Sequence, residues 1–219
     1  MKNNQELQKD VQDAINWEPL LNAAEIGVIA KNGVITLTGT VDSYAKKAEA
    51  ENAAQSVKGV KAVVEKIDIR FKSSFGKRDD NEITDELLKA AKWDWQIPQD
   101  KINVKVENGW ITLDGEVDWN YQKEAVNDLV KNHIDVKGVT NNITIKQTDD
   151  QVEKKAVEGA LMRNLLVDDS NIKVNVSDQK VTLSGSVPTW YQKNKASRIA
   201  WNARGVHHLD NELTVDNDF

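Results

Sequence analysis

Residues 33–42 read Gly-Val-Ile-Thr-Leu-Thr-Gly-Thr-Val-Asp, and two closely related strings follow further along the chain. The second is Gly-Trp-Ile-Thr-Leu-Asp-Gly-Glu-Val-Asp at 109–118, and the third is Gln-Lys-Val-Thr-Leu-Ser-Gly-Ser-Val-Pro at 179–188. A string that returns at such spacing indicates one structural unit repeated along the chain. We therefore interpret every other residue by its position within this repeat.

The three copies align without a gap. Their shared glycines lie 76 and then 70 residues apart, and these offsets give copies of 64 residues at Glu6–Ile69, Glu82–Ile145 and Val152–Val215. We therefore divide the chain into repeat one, a linker, repeat two, a second linker and repeat three. Their bounds are 1–71, 72–81, 82–146, 147–151 and 152–219.

Seven aligned positions are identical in all three copies, and most of them are apolar residues or glycine. The polar ones are one threonine and one lysine. Their residues are Thr36, Thr112 and Thr182, and Lys47, Lys123 and Lys193. Repeated apolar positions mark a shared core, whereas a shared reaction would require shared polar residues. The repeat preserves a fold more clearly than a chemistry.

Each copy predicts the order helix, strand, strand, helix, strand. In copy one, apolar residues fall on one helical face at Leu7, Val11, Ala14 and Ile15. Residues 26–30 then alternate as a half-buried strand, and the Asn-Gly pair at 32–33 is typical of a tight hairpin turn. The predicted fold class is α+β, with three tandem repeats that each place two helices on one face of a small mixed three-stranded sheet.

The end of the second helix tests the alignment. Gly59 and Gly205 are placed where a helix ends in the left-handed conformation. Copy two has a glycine at Gly138, but the gapless alignment puts Asp135 opposite the other two glycines. We keep the alignment, because the following residues of copy two then fall on apolar positions. It predicts that the helix end of copy two falls at or near Asp135.

This unit resembles the BON domain, which is named for bacterial osmotic-shock and nodulation proteins. The resemblance rests on the strand 35–41 (Ile-Thr-Leu-Thr-Gly-Thr-Val) and on the Gly-Val step at 59–60, which returns at 205–206 and is Asp-Val at 135–136. It covers all three copies. It implies a transport-associated bacterial protein of the osmotic or envelope stress response that binds phospholipid surfaces and has no catalytic activity. Family members also occur in pores and secretion machinery.

Composition excludes several classes of protein. The chain has 29 Lys and Arg against 35 Asp and Glu, and the resulting net charge of −6 argues against a nucleic-acid binder. Zero cysteines exclude disulfides and thiolate metal sites. We recognise no signal peptide and no apolar stretch long enough to span a bilayer. The chain as it stands predicts a cytoplasmic location, whereas the family resemblance implies a periplasmic one if an upstream signal was removed.

Motifs for catalysis or metal binding are not found in the sequence. There is no phosphate-binding loop, nucleophile elbow or EF-hand loop. The histidines (His133, His207 and His208) share no aligned position. Acidic pairs at 79–80, 149–150 and 168–169 are interpreted as solvated linker or loop charge, with a weak cation-sensing module as an open alternative. We therefore expect no enzyme, no catalytic residue, no metal and no cofactor.

Aromatic residues gather where the second strand of each copy enters the second helix, with the shared lysine one helical turn beyond. These lipid- or partner-binding candidates are Tyr44, Lys47, Trp119, Tyr121, Lys123, Trp190, Tyr191 and Lys193. A ring beside a cation suits a phospholipid headgroup, because Trp and Tyr favour membrane interfaces. The alternative is that the rings pack between copies, in a soluble multivalent protein–protein scaffold. Two further tryptophans, Trp17 and Trp93, share the end of the first helix, and Trp95 follows closely.

Overall fold

The computed structural model describes residues 2–71, 78–146, 152, 154–164, 171–203 and 205–215. Copy one consists of α1 (Asn4–Trp17), β1 (Ile26–Lys31), β2 (Val34–Val41), α2 (Tyr44–Gln55) and β3 (Ala62–Ile69). Copy two consists of α3 (Asp80–Trp93), β4 (Ile102–Glu107), β5 (Trp110–Val117), α4 (Asn120–Lys131), β6 (Gly138–Asn141) and β7 (Thr144–Ile145). Copy three consists of α5 (Lys154–Asn164), β8 (Asn171–Ser177), β9 (Lys180–Val187), α6 (Trp190–Trp201) and β10 (His208–Val215). The predicted order of elements is confirmed.

Each copy builds its own small mixed sheet. The first two strands form an antiparallel hairpin, and the last strand lies beside the middle one. The last strand runs parallel to the middle strand in copies two and three. In copy two this strand is split, and β6 and β7 both pair with β5. The predicted α+β class is therefore confirmed.

One face of each sheet is buried under helices. Burial alternates residue by residue along β1, as a half-buried strand requires. In α1 the side chains of Leu7, Val11 and Ile15 are buried, and they are among the residues that sequence periodicity placed on one face. In copy two, the buried cluster takes residues from α3, α4 and β5 together. The opposite faces of the sheets carry the alternate, more exposed residues.

The chain divides into two compact units that do not follow the boundaries of the copies. One unit holds Met1–Gly39, Glu49–Ile67 and Thr148–Phe219, so it contains most of copy one together with copy three. The other holds Thr40–Ala48 and Asp68–Gln147, so it contains copy two together with a short segment of copy one. Two copies that are not adjacent in sequence thus share one unit.

The glycine of the repeated string is required by close backbone contact. Gly39 has a φ of 130°, and a Cβ built there would lie 2.0 Å from the main-chain oxygen of Glu25. Gly115 has a φ of 143°, and its Cβ would lie 2.1 Å from the oxygen of Lys101. No other residue can occupy such a position without displacing the backbone. In copies one and two the identity of this position follows from sterics, and Gly185 of copy three also has a positive φ, of 112°.

Asp135 occupies the helix-end position that the alignment assigned to it. Its φ is 66°, in the left-handed region, where Gly59 has 98° and Gly205 has 82°. Asp tolerates this conformation better than most residues, and its buried carboxylate lies 3.3 Å from Arg78 Nη1. The gapless alignment is therefore confirmed. Gly138 has another role, since a Cβ there would lie 2.4 Å from the ring of Trp110.

The acidic pair at 79–80 is part of the fold, and its interpretation as solvated linker charge is wrong. The Asp79 side chain caps α3 by accepting the Glu82 N–H at 2.8 Å. The Asp80 carboxylate accepts the N–H groups of Asn108 at 2.7 Å and Gly109 at 2.9 Å, in the hairpin turn. Both residues lie inside the segment assigned to the first linker, because the cap precedes the apolar pattern of the helix. The pairs at 149–150 and 168–169 lie outside the described residues.

We expect Gly115→Ala to lower the free energy of unfolding by about 2–4 kcal/mol, because the new Cβ collides with a carbonyl oxygen. The matched control is Gly159→Ala in α5, where the nearest contact of the new Cβ is the mobile tip of Arg163 at 3.1 Å. That change should keep or slightly raise stability, by up to about 1 kcal/mol. Calorimetric melting of the three proteins checks this, and equal losses in both variants would contradict it.

Candidate functional site

The second helices of the three copies begin at the same aligned position. Their first residues are Tyr44, Asn120 and Trp190. In copy three, Thr189 Oγ1 caps the helix by accepting the Gln192 N–H at 3.1 Å. In copy two, Gln122 Oε1 accepts the N–H groups of Asp118 and Trp119, each at 3.0 Å. These caps fix where the candidate aromatic residues stand.

The shared lysine binds a main-chain oxygen of the last strand. Lys123 Nζ donates to the carbonyl oxygen of Ile143 at 2.6 Å, and Lys193 Nζ donates to that of Leu213 at 2.6 Å. Both acceptor residues are 1% exposed. The lysine therefore connects the second helix to a buried part of the sheet. Lys47 is half-buried at the aligned position of copy one.

The N–H group of the same buried residue is also hydrogen-bonded, in each case by an asparagine side chain. Asn141 Oδ1 accepts the N–H of Ile143 at 3.0 Å, and Asn211 Oδ1 accepts that of Leu213 at 3.1 Å. Side chains thus bond both the N–H and the C=O of each buried residue, as a buried peptide group requires. In copy two this residue stands between β6 and β7, where the strand is interrupted.

Partial burial shifts the pKa of the lysine in copy two. Burial lowers the pKa of Lys123 below its ordinary value of 10.5, and the neighbouring Glu124 carboxylate acts in the opposite direction. Burial disfavours the charged ammonium, whereas its hydrogen bond satisfies the buried oxygen of Ile143. These contacts favour a structural role for Lys123 and Lys193 over the headgroup contact expected from sequence.

Two of the candidate aromatic residues pack against another copy. Trp190 is half-buried, its Nε1 donates to the main-chain oxygen of Lys61 at 3.0 Å, and Lys193 Nζ lies 5.4 Å from its ring centroid. The predicted pairing of ring and cation thus exists in copy three. Tyr44 packs against the buried cluster of copy two. Both contacts favour the alternative in which rings pack between copies.

The other aromatic candidates keep part of their surface in solvent. Trp119, Tyr121 and Tyr191 are between 37% and 45% exposed. The structure therefore leaves three rings of the predicted set available for an outside partner. It gives no single cluster that contains all eight candidate residues.

The most exposed tryptophans lie elsewhere, at the end of the first helix. Trp17 is 88% exposed, Trp93 is 90% exposed and Trp95 is 84% exposed. Trp17 and Trp93 are the last residues of α1 and α3. Sequence reasoning noticed their shared position but did not include them among the candidates, because a helix-end aromatic is indistinguishable from a core residue until burial is known.

The described residues show no group that resembles a metal centre. Within those ranges, no three His, Cys, Asp or Glu side chains come together in a way that could hold a metal ion. His133 Nε2 lies 3.3 Å from Glu86 Oε2, and its Nδ1 lies 2.7 Å from the oxygen of Ile134. None of the helices in the described part is long and apolar enough to cross a bilayer.

Comparison with known proteins gives one family and a few individual relatives. The BON-domain family profile matches residues 3–70, 79–147 and 149–217. Osmotically-inducible protein Y of Escherichia coli (strain K12) is 30% identical over 129 residues, which are 58% of this chain and 64% of that protein. The chain thus spans less than two thirds of the length of this relative.

Two solved chains of CdsD, a structural protein of the type III secretion system of Chlamydia trachomatis, also match. They are 16% and 17% identical and cover 95% and 98% of this chain. The matches span 91% and 100% of the solved chains, with a TM-score of 0.27 in each case. A likeness at this TM-score carries no conclusion about function.

We expect Lys123→Met to lower the free energy of unfolding by about 1–3 kcal/mol, because it leaves the buried Ile143 oxygen without its donor. The control is Lys105→Met in the same copy, where an exposed lysine lies 3.0 Å from Glu107. That change should alter stability by less than about 0.5 kcal/mol. Denaturant titration of both variants measures the two losses, and losses of equal size would refute the structural role.

The lowered pKa of Lys123 also predicts how this difference depends on pH. The unfolded chain keeps the proton of Lys123 up to about 10.5, whereas the folded chain releases it at a lower pH. Between these two values the unfolded state binds more protons, so the stability of the unmodified protein rises with pH relative to Lys123→Met. Melting temperatures of both proteins, measured as pH is raised toward 10.5, should diverge. A constant difference would contradict the burial of this cation.

Proposed function

We propose, because this chain belongs to the BON-domain family and carries three copies of the domain, that it is a non-enzymatic, stress-associated protein that binds phospholipid surfaces. The observation that carries the membrane part of this proposal is the exposure of Trp17, Trp93 and Trp95. The proposed contact thus moves from the junction expected from sequence to the ends of the first helices.

The stress-associated part of the proposal is supported by one relative. The Escherichia coli protein is named for osmotic induction, and its similarity extends over 58% of this chain. A protein that is produced under osmotic stress and carries three small domains of this kind is expected to act by contact with a surface or partner. The proposed surface is a membrane of the cell envelope.

Physical chemistry supports a lipid interface as the partner of the helix-end tryptophans. An indole ring is large and apolar but carries one N–H donor, so it prefers the headgroup region to either water or hydrocarbon. Transfer of one such exposed ring out of water gains about 2 kcal/mol before the costs of association are subtracted. Copies one and two each carry at least one such ring.

The charge of the chain favours binding through rings over binding through cations. The net charge is −6, and the shared lysines of copies two and three are bonded to main-chain oxygens. Attraction to anionic lipids through lysine would weaken with salt. Contact through tryptophan rings should therefore occur on zwitterionic vesicles and depend little on ionic strength.

Flotation with phosphatidylcholine vesicles tests the proposal. The unmodified chain should float, and the triple variant Trp17→Ala/Trp93→Ala/Trp95→Ala should lose at least about tenfold in vesicle affinity, because three ring contributions are removed. The matched control is Trp119→Ala/Tyr121→Ala/Tyr191→Ala, which removes three less exposed rings and should float like the unmodified chain. Circular dichroism verifies that each variant is folded.

Two results would overturn this assignment. Loss of flotation in the control alone would return the contact to the start of the second helices. Recovery of the unmodified chain in the bottom fraction, with zwitterionic and with anionic vesicles, would exclude the lipid surface. In that second case the exposed tryptophans are best explained as contacts for a protein, because Trp is enriched at interface hot spots, and the soluble multivalent scaffold becomes the favoured function.

A further inference from the structure

We propose that the first turn of the second helix is a docking surface whose partner is another copy of the same domain. Its first residue is Tyr44, Asn120 or Trp190, according to the copy. Tyr44 and Trp190 are half-buried, and Asn120 is 6% exposed, although each begins a helix at the surface of its own sheet. In copies one and three, residues of a different copy provide the cover.

The contact of copy three with copy one is defined by two hydrogen bonds. Trp190 Nε1 donates to the main-chain oxygen of Lys61 at 3.0 Å. One helical turn later, Asn194 Nδ2 donates to Gln55 Oε1 at 3.1 Å. The two acceptors lie at the end of α2 and just before β3, so α6 contacts copy one at the connection between these two elements. Two directional bonds one turn apart fix the orientation of the docked helix.

The groups on both sides of this contact are also held by interactions within their own copy. In copy one, the N–H of Lys61 donates to the oxygen of Gly33 at 2.7 Å, so its peptide is fixed by the hairpin. In copy three, the Trp190 ring lies 5.4 Å from Lys193 Nζ, which is itself bonded to the oxygen of Leu213. The shared lysine therefore positions the ring. Groups held in this way lose little entropy on docking.

The same helix position is used a second time, with a different ring. Tyr44 of copy one packs against the buried cluster of copy two, which is in the same compact unit. Two copies thus present the same position, and each time the partner is a BON domain. This recurrence assigns the class of partner, because an unrelated protein would have no reason to match the packing of two different copies.

The chemistry of the copy-three contact predicts its response to salt. The two bonds join neutral groups, an indole and an amide as donors and a carbonyl and an amide as acceptors. Since no charge pair carries them, docking should persist at high ionic strength.

The absence of cysteine in the sequence makes cross-linking of the full chain a direct test. In the variant Gln55→Cys/Asn194→Cys, a short bismaleimide should join copies one and three within one chain, both at low salt and in 1 M NaCl. Adding Trp190→Ala should slow this reaction about tenfold, as the loss of one half-buried ring and its hydrogen bond implies. Trp190→Phe keeps a ring without the donor and should give an intermediate rate. Adding Trp119→Ala, a tryptophan of copy two, should not change the rate.

The two single-cysteine variants give the background of products between chains, and circular dichroism shows that each variant is folded. The proposal is overturned if no product within one chain forms, if only dimers of the chain form, or if Trp190→Ala leaves the rate unchanged. No vesicles are present, so failure here leaves the lipid contact untouched, and failure of flotation leaves the docking surface untouched.

Discussion

Close contact between two backbones is the constraint on which each copy depends. At Gly39 and Gly115 the middle strand passes so near the residue before the first strand that a Cβ would lie about 2 Å from a carbonyl oxygen. In copy three the last strand pairs with the middle strand through this level, with Leu213 opposite Gly185. The buried residue of that strand, Leu213 or the aligned Ile143, also takes hydrogen bonds from the side chains of an asparagine and a lysine. The invariant glycine and the invariant lysine thus act at the same level of the last strand.

Sequence predicted the fold almost completely, because its signals are local or repeated. Periodicity placed Leu7, Val11 and Ile15 on one buried face, and the gapless alignment placed Asp135 in the left-handed conformation. The Val-Lys-Gly-Val string at 136–139 suggested another alignment, but Gly138 is required beneath the ring of Trp110. A repeat resolves such a conflict, since an ambiguous helix end in one copy is decided by the other two copies.

The candidate site was predicted less well, since its residues depend on contacts between distant parts of the chain. Lys193 meets the oxygen of Leu213, and Trp190 meets that of Lys61, 129 residues away in sequence. Neither partner is a side chain, so no pattern of residue types could reveal it. Side-chain exposure could not be predicted either. Trp93 ends an amphipathic helix and is 90% exposed, but the sequence around it would look the same if its ring were buried.

The comparison of copies separates what the fold requires from what each copy contributes. Positions that are identical have structural contacts, the glycine in copies one and two and the lysine in copies two and three. Positions that vary carry the surface: the second helix begins with Tyr44, Asn120 or Trp190, and the first helix position of Trp17 and Trp93 holds Arg163 in copy three. A change at such a position alters one surface without altering the domain. Tandem copies can therefore divide their tasks, with the start of one helix used to join copies and the end of another left exposed in copies one and two.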